Sequence, residues 1–325
     1  MFTVFIILFI VALGLSLILT PIVMKIAIKK GFVDKPDERK LQKVPIAYGG
    51  GIAIFLGFII ASIIGIGFIL IYKIKLPQRD WYIISAFLLG GTLSALIGFI
   101  DDRKSMPAKV KLIFQIITIM LIMPLGVSIT FITNPFGESL IYLPIWIGMP
   151  LTLFWMVGLM NAVNLIDGLD GLLGGVTFIS SIIFIIVALM KGYLFVAGVM
   201  FILAGSVLGF LRYNFNPAKI FMGDTGSLFI GMIFAITSVI GGLKTTTAFA
   251  LLIPFLILGL PIIDTAWAII RRVKNHQPIF KPDKGHIHHR LLGLGLNQKQ
   301  AVCIIYAINI LLGVIAVAIC HYTKI

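Results

Sequence analysis

The stretch NAVNLIDGLDGL, residues 161–172, lies between two long apolar runs. It carries a polar side chain at every third position: Asn161, Asn164, Asp167 and Asp170. Residues three apart share one face of a helix, so the spacing predicts a polar stripe whose oxygens suit a hard cation such as Mg²⁺. The alternative is a helix end with Asn and Asp caps, which needs only one such residue. Gly168 and Gly171 then allow a close approach to a ligand or a sharp change of direction.

The composition places this stretch in a membrane protein. The 325-residue chain is 60% hydrophobic and 12% charged, with a mean hydropathy of +1.12, whereas soluble proteins are about 45–50% apolar and about 25% charged. We therefore predict an all-α integral membrane protein in which residues 1–325 form a single polytopic domain. The formal charge of +14 lies in short loops between apolar runs. This pattern sets membrane orientation, so we expect no nucleic-acid partner.

The apolar runs predict about ten transmembrane helices, with a loop or short surface hairpin at 126–144. The predicted spans are 2–24, 47–72, 81–100, 110–125, 145–163, 172–190, 193–211, 226–243, 248–270 and 300–320. The loops after the odd-numbered spans hold most of the 26 basic residues. By the positive-inside rule these loops are cytoplasmic and both termini are extracytoplasmic. The unusual polar clusters lie in the same loops, so we expect catalytic loops on the cytoplasmic face of the cell membrane.

The third predicted span ends in IGFIDDR, which places Asp101 and Asp102 at the membrane boundary. Adjacent carboxylates repel each other unless a cation or a proton lies between them. The pair is interpreted as a metal site or as a base tuned by its neighbour. The alternative is a solvated helix end neutralised by Arg103 and Lys104.

The segment RYNFNPAKIFMGDTGSLFIG contains Asp224 in a Gly-rich turn before the eighth predicted span. Thr225 or Ser227 would cap that helix, and its N-terminus favours phosphate. Phe221 is a candidate to stack on a nucleobase, and Asn214 a candidate to hydrogen-bond one. An ordinary Gly-rich turn is the alternative, and the P-loop pattern is absent.

Three further features carry weaker patterns. The loop KPDKGHIHHRLLGLGL contains three histidines and an arginine, which are suited to binding phosphate or sugar hydroxyls. A zinc site is discounted because no Cys, Asp or Glu lies at a familiar zinc-ligand spacing. The alternative is an amphipathic surface loop. In KVPIAYGGG, Lys43 before a tight turn suggests a cation near a phosphate. Asp264 is an intramembrane carboxylate, which marks a functional candidate or a partner for a basic residue at its own helix end.

Together these clusters favour metal-assisted phosphoryl transfer between a soluble phosphorylated donor and a lipid acceptor. An ion-coupled transporter or lipid flippase is the alternative class. A transporter should place polar groups near the bilayer midplane and expose them to both sides, whereas here they gather on one face.

In this order, KVPIAYGGG, IGFIDDR, NAVNLIDGLDGL, FMGDTGS and GHIHHRLL resemble the polyprenyl-phosphate N-acetylhexosamine-1-phosphate transferases (glycosyltransferase family 4). The resemblance spans most of the chain. It implies Mg²⁺-dependent transfer of a sugar 1-phosphate from a UDP-sugar to a polyprenyl phosphate, with release of UMP, at the start of teichoic acid, O-antigen or related glycan synthesis. Mn²⁺ is expected to substitute for Mg²⁺.

The resemblance also implies roles for individual residues. Asp224 is the expected magnesium ligand with Asn164 as the second, and Asp101 is the expected base or nucleophile with Asp102 beside it. The remaining matched positions are expected around the substrates: Lys43, Asn161, Asp167, Asp170, Asn214, Phe221, His286, His288, His289 and Arg290.

Two branches of this family compete. The branch that uses UDP-MurNAc-pentapeptide typically shows three adjacent histidines, whereas this chain reads HIHHR. We therefore expect UDP-GlcNAc as donor and undecaprenyl phosphate as acceptor, with phospho-MurNAc-pentapeptide transfer as the alternative. Membrane lipid is a further partner, and a homodimer is a candidate assembly.

Overall fold

The computed structural model describes residues 2–34, 44–133, 140–242, 252–275 and 286–322. Almost all of its regular structure is helical, which confirms the predicted fold class. The helices are α1 (Phe2–Lys29), α2 (Gly50–Ile71), α3 (Gln78–Arg103), α4 (Ala108–Ile122), α5 (Ile145–Leu165), α6 (Leu172–Met190), α7 (Leu194–Asn214), α8 (Gly223–Gly242), α9 (Leu252–Ile257), α10 (Gly259–Lys274), α11 (Ile287–Gly293) and α12 (Gln298–Tyr322). The short strands are β1 (Val33–Asp34), β2 (Ile46–Ala47), β3 (Phe131–Thr133) and β4 (Leu140–Tyr142).

Nine helices in these ranges are long and apolar enough to cross a membrane: α1 to α8, with α4 extended to Leu125, and α12. They correspond to nine of the ten predicted spans. The other predicted span, 248–270, falls partly outside the described residues. Where it is described it is broken into α9 and α10 at Leu258.

Proline explains the break between α9 and α10. Pro261 has no N–H, so the carbonyl of Ile257, four residues earlier, loses its usual helical donor. The Ser180 hydroxyl of α6 donates to that carbonyl instead (3.2 Å), and the Asn309 amide of α12 donates to the Ser180 oxygen (3.2 Å). In a hydrocarbon environment an unpaired carbonyl is costly, so these two polar side chains stabilise the break.

Helix α8 is the centre of the bundle. Its apolar side chains between Leu228 and Ile240 are almost completely buried, against α2, α3 and α5. Glycines allow the closest approaches: a Cβ on Gly51 would overlap the backbone of Gly226, and one on Gly98 would overlap the Asp224 carbonyl. The first turn of α8 is therefore fixed by the backbones of two neighbouring helices.

The segment 126–144, predicted as a loop or short surface hairpin, is described at 126–133 and 140–144, where it contains β3 and β4. Strands β3 and β4 pair antiparallel, with Phe131 opposite Tyr142 and Ile132 opposite Ile141. This strand pair lies at one end of the bundle. The ends of α3 and α5, the starts of α4 and α8, and strands β1 and β2 lie at the other end, away from the described N- and C-terminal residues.

Candidate functional site

The corner between α3 and α4 brings a lysine to the carboxylates. Lys111, in the first turn of α4, forms ion pairs with both Asp101 and Asp224. The second oxygen of Asp101 accepts a hydrogen bond from the Met106 backbone N–H (2.5 Å). The corner thus links two aspartates far apart in sequence through one ammonium group.

Asp102 has a different task from its neighbour. Its carboxylate accepts hydrogen bonds from the backbone N–H groups of Asp224 (2.7 Å) and Thr225 (3.0 Å) and from the Thr225 hydroxyl (2.6 Å). A negative charge on free N–H groups at a helix start is stabilising. Asp102 therefore caps α8 and fixes Asp224, and its oxygens are largely occupied by this contact.

The C-terminal end of α5 supplies the next contact. The Asn164 amide N–H group donates to Asp224 Oδ1 (2.9 Å) and to the Ser227 hydroxyl (2.7 Å). Asn164 Oδ1 has no hydrogen-bond partner among the described residues. The two predicted metal-binding residues thus lie side by side.

The polar stripe predicted for 161–170 is wrong in its second half, because α5 ends at Leu165. A turn follows, and Gly171 closes it with φ +77°, which fits the predicted change of direction. Burial, then the charges of Asp224 and Asp102, raises the pKa of Asp167 to about 8. Asp167 therefore lies near Asp224, the residue to which Asn164 donates, and near Asp102.

Asp170 points to a different loop. It accepts hydrogen bonds from the Asn216 side chain (2.9 Å) and the Ala218 backbone N–H (3.1 Å). The Asn216 amide also donates to Gln298 at the start of α12 (2.7 Å). Asp170 thus ties the turn after α5 to the loop before α8.

Two predicted substrate-binding asparagines are engaged by the protein itself. Asn161 donates to Gln115 (2.9 Å) and to its own helix backbone. Asn214 is buried; its oxygen accepts from the Gly171 N–H (3.0 Å) and its amide donates to the Ile220 carbonyl (2.9 Å). The structure therefore gives Asn214 the geometry of a clamp between two loops.

The GGG segment and the turn before α8 form one wall. Ala47 and Ile220 form a parallel bridge, and the N–H groups of Gly50 and Gly51 donate to the carbonyls of Phe221 (2.8 Å) and Met222 (2.9 Å). Phe221 is partly buried in this wall. Lys43, which precedes it in sequence, lies outside the described residues.

The histidine loop is held by the carboxylate of α10. His286 Nδ1 lies 2.8 Å from Asp264 Oδ2, and the Ile287 N–H donates to Asp264 Oδ1 (2.9 Å). Asp264 is thus paired with the histidine loop. His288 packs where a Cβ on Gly168 would be.

The other members of the histidine loop differ in exposure. Burial, followed by the charges of the neighbouring histidines, lowers the pKa of His288 to about 4, so its ring is neutral at pH 7. His289 and Arg290 are exposed, and the His289 ring lies 4.3 Å from the His288 ring between centroids.

The donor set fits Mg²⁺. Within the described ranges, no three His, Cys, Asp or Glu side chains are grouped as a ready-made metal cage. Mg²⁺ does not require one, since it is usually held by one or two carboxylates together with waters and substrate phosphates. Asp224 and the free oxygen of Asn164 meet that requirement, with Asp101 and Asp167 close by.

Lys111 is the main site residue that the sequence reasoning missed. A cation in the first turn of a helix runs against the helix dipole, which favours anions there. This unfavourable placement, nine residues after Asp102, was a signal for a functional lysine.

The chain resembles known proteins over most of its length. Residues 84–242 match the model of glycosyl transferase family 4. The chain is 42% identical over 311 residues to a probable undecaprenyl-phosphate N-acetylglucosaminyl 1-phosphate transferase of Bacillus subtilis, covering 96% of this chain and 84% of the relative. It is 34% identical to a decaprenyl-phosphate N-acetylglucosaminephosphotransferase of Mycobacterium leprae, covering 83% and 72%.

A third relative comes from the other branch. The chain is 29% identical over 333 residues to a phospho-N-acetylmuramoyl-pentapeptide-transferase of Staphylococcus saprophyticus, covering 94% of this chain and 96% of the relative.

Proposed function

Since the chain belongs to glycosyl transferase family 4, we propose that it transfers GlcNAc-1-phosphate from UDP-GlcNAc to undecaprenyl phosphate. The products are UMP and undecaprenyl-diphosphate-GlcNAc. Higher identity to the N-acetylglucosamine enzymes than to the muramoyl enzyme supports this donor, as does the interrupted histidine run.

One observation carries the proposal: Lys111 joins Asp101 to Asp224, and Asn164 lies beside Asp224. Phosphoryl transfer requires positioned charge more than covalent chemistry. This cluster offers a carboxylate for the acceptor, an ammonium group that holds two carboxylates together and oxygen donors for a cation. All of them lie at one end of a membrane bundle, where a lipid phosphate and a soluble nucleotide can meet.

The proposed reaction is a direct displacement. Asp101 accepts the proton of the acceptor phosphate, and the freed oxygen forms a bond to the β-phosphorus of UDP-GlcNAc. The bond between that phosphorus and the bridging oxygen breaks, and its electron pair leaves with UMP. Lys111 holds Asp101 and Asp224 in place during the proton transfer to Asp101 and the departure of UMP. When bound, Mg²⁺ supplies positive charge that stabilises the leaving phosphate.

Both carboxylates are engaged, since Asp101 contacts the Met106 N–H and Lys111 and Asp102 accepts three hydrogen bonds from the start of α8. Asp101 is assigned as the base because Asp102 is needed to hold Asp224 in place. A two-step route through an aspartyl-phosphate on Asp101 is the competing mechanism. Incubation with donor labelled in the β-phosphate, without acceptor, separates the two. A labelled protein would overturn direct displacement.

A donor panel tests the function. The purified protein in detergent is offered UDP-GlcNAc, UDP-GalNAc and UDP-MurNAc-pentapeptide with undecaprenyl phosphate and Mg²⁺, and UMP release is measured. We expect release with UDP-GlcNAc, loss of release with EDTA, and recovery with added Mg²⁺. Release only from the muramoyl donor would assign the other branch, and no release from any donor would favour the transporter class.

The placement of basic residues supports a site that faces the cytoplasm. Single cysteines introduced at Lys104 and at Ile145, which lie at opposite ends of the bundle, test this orientation. We expect a membrane-impermeant thiol reagent to label the Ile145 position in intact cells and the Lys104 position only after lysis. The reverse pattern would overturn the proposed orientation.

A further inference from the structure

Tyr48 lies at the site and has no part in the mechanism above. Its main chain is fixed, because its N–H donates to the Phe32 carbonyl (3.1 Å) and the next residues join the turn before α8. Its ring packs edge-on against Phe32 and Phe221, with centroids 5.8 and 6.2 Å apart. The side chain is therefore held in one direction by neighbours on both sides.

The Tyr48 ring points towards the site carboxylates, beginning with Asp102. A Cβ placed on Gly223 would lie 2.8 Å from Tyr48 Cε1 and 2.7 Å from Asp102 Oδ2. The tyrosine ring and the capping carboxylate therefore flank the same point. Gly223 has φ +76°, so this position favours glycine on both steric and conformational grounds.

The Tyr48 hydroxyl is a donor without an acceptor in the described protein. No hydrogen bond joins it to another described residue. Burial, followed by the charges of Asp102, Asp167 and Asp224, raises its pKa well above the ordinary value. The hydroxyl therefore stays protonated at any working pH, and the side chain is only partly buried.

We propose that Tyr48 is a substrate-binding residue whose hydroxyl donates a hydrogen bond to a phosphate oxygen of the substrate. This inference rests on the proposed function. The site is rich in carboxylates, which repel phosphate, and Lys111 is already shared between two of them. A neutral hydroxyl gives phosphate a hydrogen-bond donor without further charge. The phosphate belongs either to the donor diphosphate or to the lipid acceptor.

The substitution Tyr48→Phe removes the hydroxyl and keeps the ring that packs against Phe32 and Phe221. A hydrogen bond to a charged group corresponds to a loss of about 10- to 100-fold in kcat/KM. UMP release is measured with UDP-GlcNAc varied and then with undecaprenyl phosphate varied. A larger KM for one of them identifies the phosphate that is bound, and a fall in kcat alone identifies a contact made in the transition state.

Tyr82→Phe is the matched control, because Tyr82 is exposed near the opposite end of α3, where its hydroxyl accepts from Gln78. We expect the control to keep the wild-type kcat/KM. The inference is overturned if Tyr48→Phe stays within twofold of wild type, or if its activity falls only in step with a fall in unfolding temperature.

Binding of inorganic diphosphate with Mg²⁺ separates this inference from the proposed function. Calorimetry on wild type and Tyr48→Phe does not depend on UMP release. Weaker binding by the variant supports the contact even if the donor panel fails. Equal binding, together with unchanged kinetics, refutes the contact and leaves the proposed function in place.

Discussion

Replacing Gly51 by alanine tests whether the first turns of α2 and α8 are held in direct backbone contact. The added Cβ would overlap the backbone nitrogen and Cα of Gly226. Neither backbone can withdraw easily, since the Gly51 N–H also donates to the Met222 carbonyl (2.9 Å). The substitution therefore forces the two helices apart at Thr225 and Gly226, the residues directly after Asp224.

The expected cost follows from overpacking, which typically destabilises a protein by about 1–3 kcal/mol. Larger domains lose about 2–4 °C of unfolding temperature per kcal/mol, so the apparent Tm should fall by about 2–12 °C. The rate of UMP release should fall by more than the unfolded fraction accounts for, because a displaced Asp224 no longer contacts Asn164 and Lys111.

Gly67→Ala is the matched control on the same helix, because no atom lies within 4 Å of a Cβ at that position. Alanine in an open helical position should leave the unfolding temperature unchanged or raise it slightly. Both variants are compared by thermal unfolding in detergent and by UMP release. Equal unfolding temperatures and equal activities for the two variants would refute the close contact.

Three further outcomes follow from the site. Asp264→Ala removes the acceptor of the Ile287 N–H and the partner of His286, so UMP release should fall about 10- to 100-fold, whereas Asp80→Ala at the other end of the bundle should not change it. Because the pKa of Asp167 is raised, the folded protein keeps a proton that the unfolded chain releases at lower pH. The unfolding temperature of the ligand-free protein should therefore fall as pH rises from about 4 to about 8. The variant Asp167→Asn should show a smaller change of unfolding temperature over the same pH range. Asn214→Ala leaves two buried backbone groups unpaired at about 1–3 kcal/mol each, and an unchanged unfolding temperature would contradict its role as a clamp.

The sequence predicted the membrane bundle because hydropathy and length are local properties. Nine predicted spans agree with the described helices, and the pairing of β3 with β4 agrees with the loop or short hairpin predicted at 126–144. The break in the remaining predicted span was visible only as Pro261. Its stabilisation by Ser180 and Asn309 depends on two other helices, which no local pattern reports.

The sequence selected several residues of the candidate site but did not predict how they are arranged. Motif matching found Asp101, Asp224 and Asn164, but the equal spacing of 161–170 suggested one helical face. The turn after Leu165 instead sends Asp167 towards Asp224 and Asp170 towards residue 216. Which oxygen faces which partner depends on contacts between distant segments, and spacing within one segment does not contain that information.

Because α8 is central, its apolar residues meet a different requirement from those on the outer helices. On α1, side chains such as Ile10 and Ile18 are more than half exposed in the bundle and need only be soluble in lipid. On α8, a residue such as Ile233 is fully buried and must fit a fixed volume. Changes in bilayer thickness or composition therefore act first on the outer helices, which contact lipid. They reach the helix that carries Asp224 only through its neighbouring helices.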